Sequence, residues 1–75
     1  MNDEIIVMVR AGSTIDSIEY FGNSRYLIRV KEKEEEMEKL NQKVIGIISK
    51  YAGVPTHKIK VISEKGNHIK IFKIV

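Results

Sequence analysis

Residues 34–55, EEEMEKLNQKVIGIISKYAGVP, limit what this chain can fold into more than any other stretch. At about 100° per residue, Met37, Leu40, Val44, Ile47, Ile48 and Tyr51 fall on one arc, with Ile45 and Ala52 at its edge. That is the spacing of a helix with one buried face. Glu35, Lys39, Gln42, Lys43, Ser49 and Lys50 occupy the opposite, solvated arc, where Glu35 is placed to pair with Lys39 one turn on for about 0.3 kcal/mol. Glutamates crowd the first turn and Lys50 stands in the last, each on the end of the helix dipole that suits its sign. Gly53 supplies a left-handed stop, and Pro55 cannot continue a helix. The pattern predicts one helix over residues 34–52.

Two residues interrupt it. Asn41 lies within the apolar arc, and a buried amide without partners costs about 1–3 kcal/mol. Its side chain must therefore either tie down the backbone of a neighbouring loop or contact a ligand. Gly46 faces the polar side, where it costs about 1 kcal/mol relative to Ala. It marks either neutral drift or the close approach of a partner.

The flanking segments carry strand patterns. Residues 4–10, EIIVMVR, form a short continuous apolar run that suits a strand covered on both faces or paired centrally. Gly12 lies in a turn, and residues 15–21 alternate weakly as a short second strand. Gly22, Asn23 and Ser24 signal a hairpin. In the strand that follows, Tyr26, Ile28 and Val30 face one way and Arg25, Arg29 and Lys31 the other. After the helix, Ile59 and Val61 alternate with Lys58 and Lys60. Residues 64–67 read as a second turn, and the closing strand has Ile69 and Ile71 inward with His68 and Lys70 outward. The alternation slips at Phe72 and Lys73, which predicts a bulge or the end of pairing there. The order β-β-β-α-β-β, with one helix apolar on a single face, predicts a two-layer α+β domain: a mixed or mainly antiparallel sheet of four to five strands. A ubiquitin-like roll uses a similar order and is the alternative, although the chain has no diglycine tail for conjugation.

Seventy-five residues allow one domain, residues 1–75. The absence of cysteine excludes a disulfide framework, a thiol nucleophile and a cysteine zinc site. No apolar run reaches the roughly 18 residues of a membrane span, and the start MNDEIIV lacks the order of a signal peptide, so a soluble, cytoplasmic protein is expected. The net charge of +3 is uneven: residues 54–75 hold five lysines against Glu64 alone. This basic third serves either to attract phosphates or to keep a small domain soluble.

Taken end to end, these segments resemble the YggU-like family of small uncharacterised proteins, a domain-of-unknown-function family. Val9-Arg10-Ala11-Gly12-Ser13 is similar to the family's Val-x-Pro-x-Ala/Ser, with Ala11 at the proline position. Of the Pro-x-x-Gly-x-Ala-Asn before the family's helix, Glu35, Glu38 and Leu40 replace Pro, Gly and Ala, and Asn41 is retained. Residues 51–66, YAGVPTHKIKVISEKG, resemble its Leu-Gly-Val stop, strand and glycine turn; Gly66 is that glycine and Lys70 the lysine after it, in a shorter hairpin. The resemblance implies a mixed sheet with a helix packed on it, a shared structural role for Asn41, and no established activity, cofactor or partner.

No pattern for chemistry stands out. His57 and His68 lie on different elements, neither with a sequence neighbour at metal-ligand spacing. Five glutamates between residues 32 and 38 suit the start of a helix better than a pair of carboxylates doing acid–base work. No nucleophile elbow or phosphate loop is present. The expectation is a non-catalytic protein without cofactor or metal.

Two binding functions fit. Arg25, Arg29 and Lys31 on the third strand, with Lys58, Lys60, Lys65 and Lys70 on the closing hairpin, suggest an RNA-binding or ribosome-associated domain if those strands lie side by side. Alternatively, a sheet face left uncovered by the helix, showing Leu27, Ile62 and Phe72, suggests a protein-interaction module or a homodimer. One continuous basic stripe would favour the first, dispersed cations the second.

Overall fold

The continuous apolar run near the N-terminus becomes the middle strand of the structure, a computed structural model that describes residues 3–66 and 68–75. Asn67, expected in the second hairpin turn, lies outside the described residues, as do Met1 and Asn2. Strand β1 (Asp3–Arg10), β2 (Ser17–Tyr20) and β3 (Arg25–Arg29) precede the helix α1 (Met37–Ala52). A single 3₁₀ turn (Thr56–Lys58) leads into β4 (Ile59–Lys65) and β5 (Ile69–Ile74). The five strands form one mixed sheet in the order β2-β3-β1-β5-β4, with β1 parallel to β3 and antiparallel to β5. This is the α+β layout that the sequence predicts, its second strand confined to four residues.

Side chains alternate along β1, so Ile5, Val7 and Val9 point to one face and Glu4, Ile6 and Met8 to the other. The helix covers the first face: Leu40, Val44 and Ile48 are buried with Ile5, Val7, Val9, Ile28, Val30, Ile59 and Phe72 in one core. Burial of each such side chain contributes about 1.5–3 kcal/mol, so the helix is held by this contact more than by its own propensity. Its end follows the sequence signal. Gly53 adopts φ 70°, and the N–H groups of Gly53 and Val54 both donate to the Ser49 carbonyl.

The beginning of the helix does not. It starts at Met37, and residues 34–36 form the turn before it. Glu36 occupies the cap position without a side-chain capping bond, which is consistent with glutamate being a poor substitute for Ser, Thr, Asp or Asn there. Only Glu38 lies in the first turn, and Lys39 pairs with Glu36 at 3.6 Å instead of with Glu35. Tyr51, placed on the apolar arc by periodicity, is exposed beyond the edge of the core and stacks edge-on against Tyr26. A Cβ added at Gly46 would meet nothing within 4 Å, so close packing does not require the glycine. Gly46→Ala is expected to raise stability by about 1 kcal/mol and the Tm by about 4–8 °C, read by thermal melting.

The closing strand takes the opposite phase to the expected one. Lys70 and Phe72 point into the core and Ile69 and Ile71 point away from the helix. In register, Val7 faces Lys70 and Ile5 faces Phe72. The segment Ile69-Lys70-Ile71-Phe72-Lys73-Ile74 is nearly as apolar in either phase, and Phe72, its largest side chain, fills the space under the helix. β5 is regular through Phe72 and Lys73; the bulge lies on β4, between Val61 and Ser63.

Candidate functional site

The bulge has a direct effect on side-chain direction. Before it, Ile59 and Val61 share the helix side of the sheet; after it, Glu64 stands opposite Lys70 on that same side. The extra residue shifts the alternation by one and aims Glu64 inward. Lys70 is fully buried, and its Nζ lies 3.0 Å from Glu64 Oε1 and 3.9 Å from Met37 Sδ. Asn41 Nδ2 donates a long hydrogen bond of 3.5 Å to the same Glu64 oxygen. Asn41 thus meets a carboxylate on β4, not the loop backbone expected of it, and its Oδ1 is buried without a partner among the described residues. Asn41 and Lys70, two positions that carry the family resemblance, converge on Glu64. The third, Gly66, adopts φ 63° in the β4–β5 turn.

Among the described residues, no helix or further strand layer covers the other face of the sheet. Register places Ile6 and Met8 of β1, Leu27 of β3 and Ile69 and Ile71 of β5 side by side there. Ile6 is 40% and Met8 46% exposed. Phe72, expected on this surface, is in the core; Leu27 points to this face but is buried there at 9% exposure, contrary to expectation, and Ile62 is exposed in the β4 bulge. Two clefts meet at Met8. One, of about 370 Å³, is lined by Ile6, Phe21, Arg25, Tyr26 and Leu27; the other, of about 410 Å³, by Val9, Arg10, Ala11, Glu34, His68 and Ile69.

Cations border this apolar strip on both sides. Arg10, Arg25 and Arg29 stand on β1 and β3, and Lys60, Lys65 and Lys73 on β4 and β5, all on the open face by register. Glu19 pairs with Arg29, and Glu4 stands opposite Lys73. Arg10, Arg25, Lys60 and Lys65 have no carboxylate within 4 Å among the described residues. Of the seven cations singled out by sequence, Arg25, Arg29, Lys60 and Lys65 therefore reach one face, but not side by side, because β1 and β5 separate β3 from β4. Lys31 lies beyond β3 and Lys58 in the 3₁₀ turn, and Lys70 is inside. Arg10 and Lys73, overlooked in the sequence, complete the two rows. For Arg10 the signal was available in β1, an apolar run that ends in a cation; Lys73 was hidden by the misassigned phase of β5.

Ion pairs also clasp the loops on the helix side. Asp16 accepts from the Lys31 backbone N–H at 2.9 Å and from Lys43 at 3.1 Å, and Glu32 approaches Lys43 at 3.8 Å. The Lys31 hydrogen bond, and then Lys43, hold the Asp16 carboxyl below its ordinary pKa, while Asp16 raises that of Lys43. Tyr20, Tyr26 and Tyr51 form a stack with ring centroids 5.0 and 5.5 Å apart. Burial, and then the two neighbouring phenols, push the Tyr26 hydroxyl above its ordinary pKa. Register directs Tyr20 and Tyr26 to the helix side. Phe21, 61% exposed beside Arg25, borders one of the open-face clefts, and Tyr26 reaches the edge of the same cleft.

The fold brings Glu34 to 3.7 Å from His68, a pairing the sequence spacing hides. Among the described residues no group of three or more His, Cys, Asp or Glu side chains could hold a metal ion, and no helix is long and apolar enough to cross a membrane. No protein-family model, curated protein or solved structure matches the chain.

Proposed function

We propose that this chain is a non-catalytic, cytoplasmic protein-binding domain that docks an acidic partner on the open face of its sheet. The observation that carries this reading is the aliphatic strip of Ile6, Met8, Ile69 and Ile71 bordered on each side by a row of cations. An apolar centre with a charged rim is the anatomy of a protein interface. Single-stranded nucleic acid is bound by a cationic groove whose floor stacks bases on aromatic rings; here the floor is aliphatic, Tyr20 turns to the other side, and Phe21 and Tyr26 stand at the edge of one cleft. A second copy fits poorly, because a face-to-face dimer would set both cationic rims against each other. Kinship with the YggU-like family is proposed on the same footing, from Asn41, Gly66 and Lys70.

A photo-crosslinking residue at position 8 or 71, compared with one at position 42 on the outer face of the helix, where Gln42 is exposed, tests the reading in cell extract. Protein adducts that survive nuclease are expected from positions 8 and 71 and not from 42. Nuclease-sensitive adducts, or equal capture from all three positions, would overturn it.

A further inference from the structure

On the reading of the open face as a docking surface, we propose that the occupant is a single amphipathic helix carrying carboxylates along both flanks, laid along the seam of β1 and β5 between the cations of β3 and those of β4. The size of the face sets the kind of partner. Five strands at about 4.8 Å spacing and roughly 20 Å of strand length offer a footprint of about 400 Å². That is about half of the ~800 Å² each partner contributes to a stable globular interface, but enough for one secondary-structure element. The width between the rows is the second constraint. β3 and β4 are separated by β1 and β5, so their cations stand about 14 Å apart, and a helix with its side chains measures about 10–12 Å across. It fits between the rows with both flanks within reach of a long basic side chain.

The floor suits such a guest. Ile6, Ile69 and Ile71 give a shallow aliphatic bed, and Met8, where the two clefts join, is the unbranched side chain that adapts to an incoming apolar face. The charge pattern fixes its polarity. Arg25 on one side and Lys60 and Lys65 on the other, with Arg10 at the end of the bed on β1, are free of carboxylate partners among the described residues, so a guest with acids on only one flank would leave one side unanswered. An extended strand added at an edge is a poorer guest: β2 is four residues long, and β4 is bulged and bears lysines, both devices that discourage edge pairing.

Three synthetic peptides of about 14 residues, long enough to cross the face as a helix, test this: one with a Leu/Ile stripe flanked by glutamates, one with lysines in place of the glutamates, and a scrambled acidic sequence without the stripe. Each is titrated into methyl-labelled protein. Saturable shifts of the Ile6, Met8, Ile69 and Ile71 methyls are expected from the first peptide, with an affinity at least about 10-fold above the other two. The doubly substituted R25E/K65E protein, checked for its fold by circular dichroism, is expected to lose about 10-fold in affinity for it. Equal binding of the lysine or scrambled peptide, shifts elsewhere on the protein, or response to an RNA oligomer or anionic vesicles in place of the peptide would overturn the proposal. If all the peptides fail while crosslinking at position 8 captures a protein, the docking face stands and the helical guest is wrong.

Discussion

Glu64→Ala is expected to lower the unfolding free energy by about 3 kcal/mol, although the side chain it removes is 38% exposed. The cost arises at the partner. Lys70 is fully buried, and among the described residues Glu64 supplies its one anionic contact at 3.0 Å, with Met37 Sδ at 3.9 Å from the same ammonium. Removing one member of a buried pair strands the other charge, at about 3–5 kcal/mol; the partial exposure of Glu64, which admits water to the site, places the value at the low end. Lys70→Met reverses the asymmetry. It removes the buried charge, keeps an unbranched chain of similar length under the helix, and leaves a carboxylate that can turn to solvent. Its cost should be below about 1 kcal/mol, and E64L/K70M together should be neutral or stabilising, as replacement of buried ion pairs by apolar groups often is. Urea titration, with the midpoint shifting at constant slope, separates the three. For 75 residues the total stability is about 4–11 kcal/mol, so the loss in E64A is a large part of the whole. Equal costs for E64A and K70M would show that the ammonium is not what the carboxylate protects.

The contrast between these variants also shows where sequence reasoning stops. The helix was legible because its evidence is local: a 3.6-residue period, a basic last turn, and Gly53 before Pro55. The central position of β1 was legible because an apolar run on both faces suits few other places. Strand order is different, since it depends on which distant segments pair. No local feature states that β1 and β5 lie between β3 and β4, and that separation turns a supposed basic stripe into two rows with an apolar floor. Lys70 was misplaced for a related reason. Alternation assigns a lysine to solvent unless a partner is known, and its partner, Glu64, is turned inward only by a bulge at Val61 and Ser63. Ser63 and Ile62 give no glycine or proline to mark that bulge. Asn41 was recognised as needing a partner, but that partner became visible only with the bulge.

Phe72→Ala is expected to be the most damaging of the single substitutions in β5, at about 3–5 kcal/mol, and its comparison with Ile71→Ala discriminates the two phases of the strand. Phe72 is 0% exposed and belongs to the core with Ile5, Leu40 and Val44, whereas Ile71 is half-buried on the open face. Truncating Phe72 removes the apolar surface it buries and leaves a cavity walled by a helix and by β1, neither of which can close on it without giving up its own contacts. At this chain length the Tm should fall by at least about 12 °C. Truncating Ile71 opens no enclosed space and should cost about 1 kcal/mol or less. Had Ile69 and Ile71 pointed inward as the alternation suggested, the two results would be exchanged, so a larger loss in I71A than in F72A would reject the register of β5 against β1. The same pair of variants bears on recognition. I71A, still folded, should weaken any guest held on the open face, because Ile71 lies in its floor, and the stability measurement on I71A establishes that the weakening is not a loss of fold.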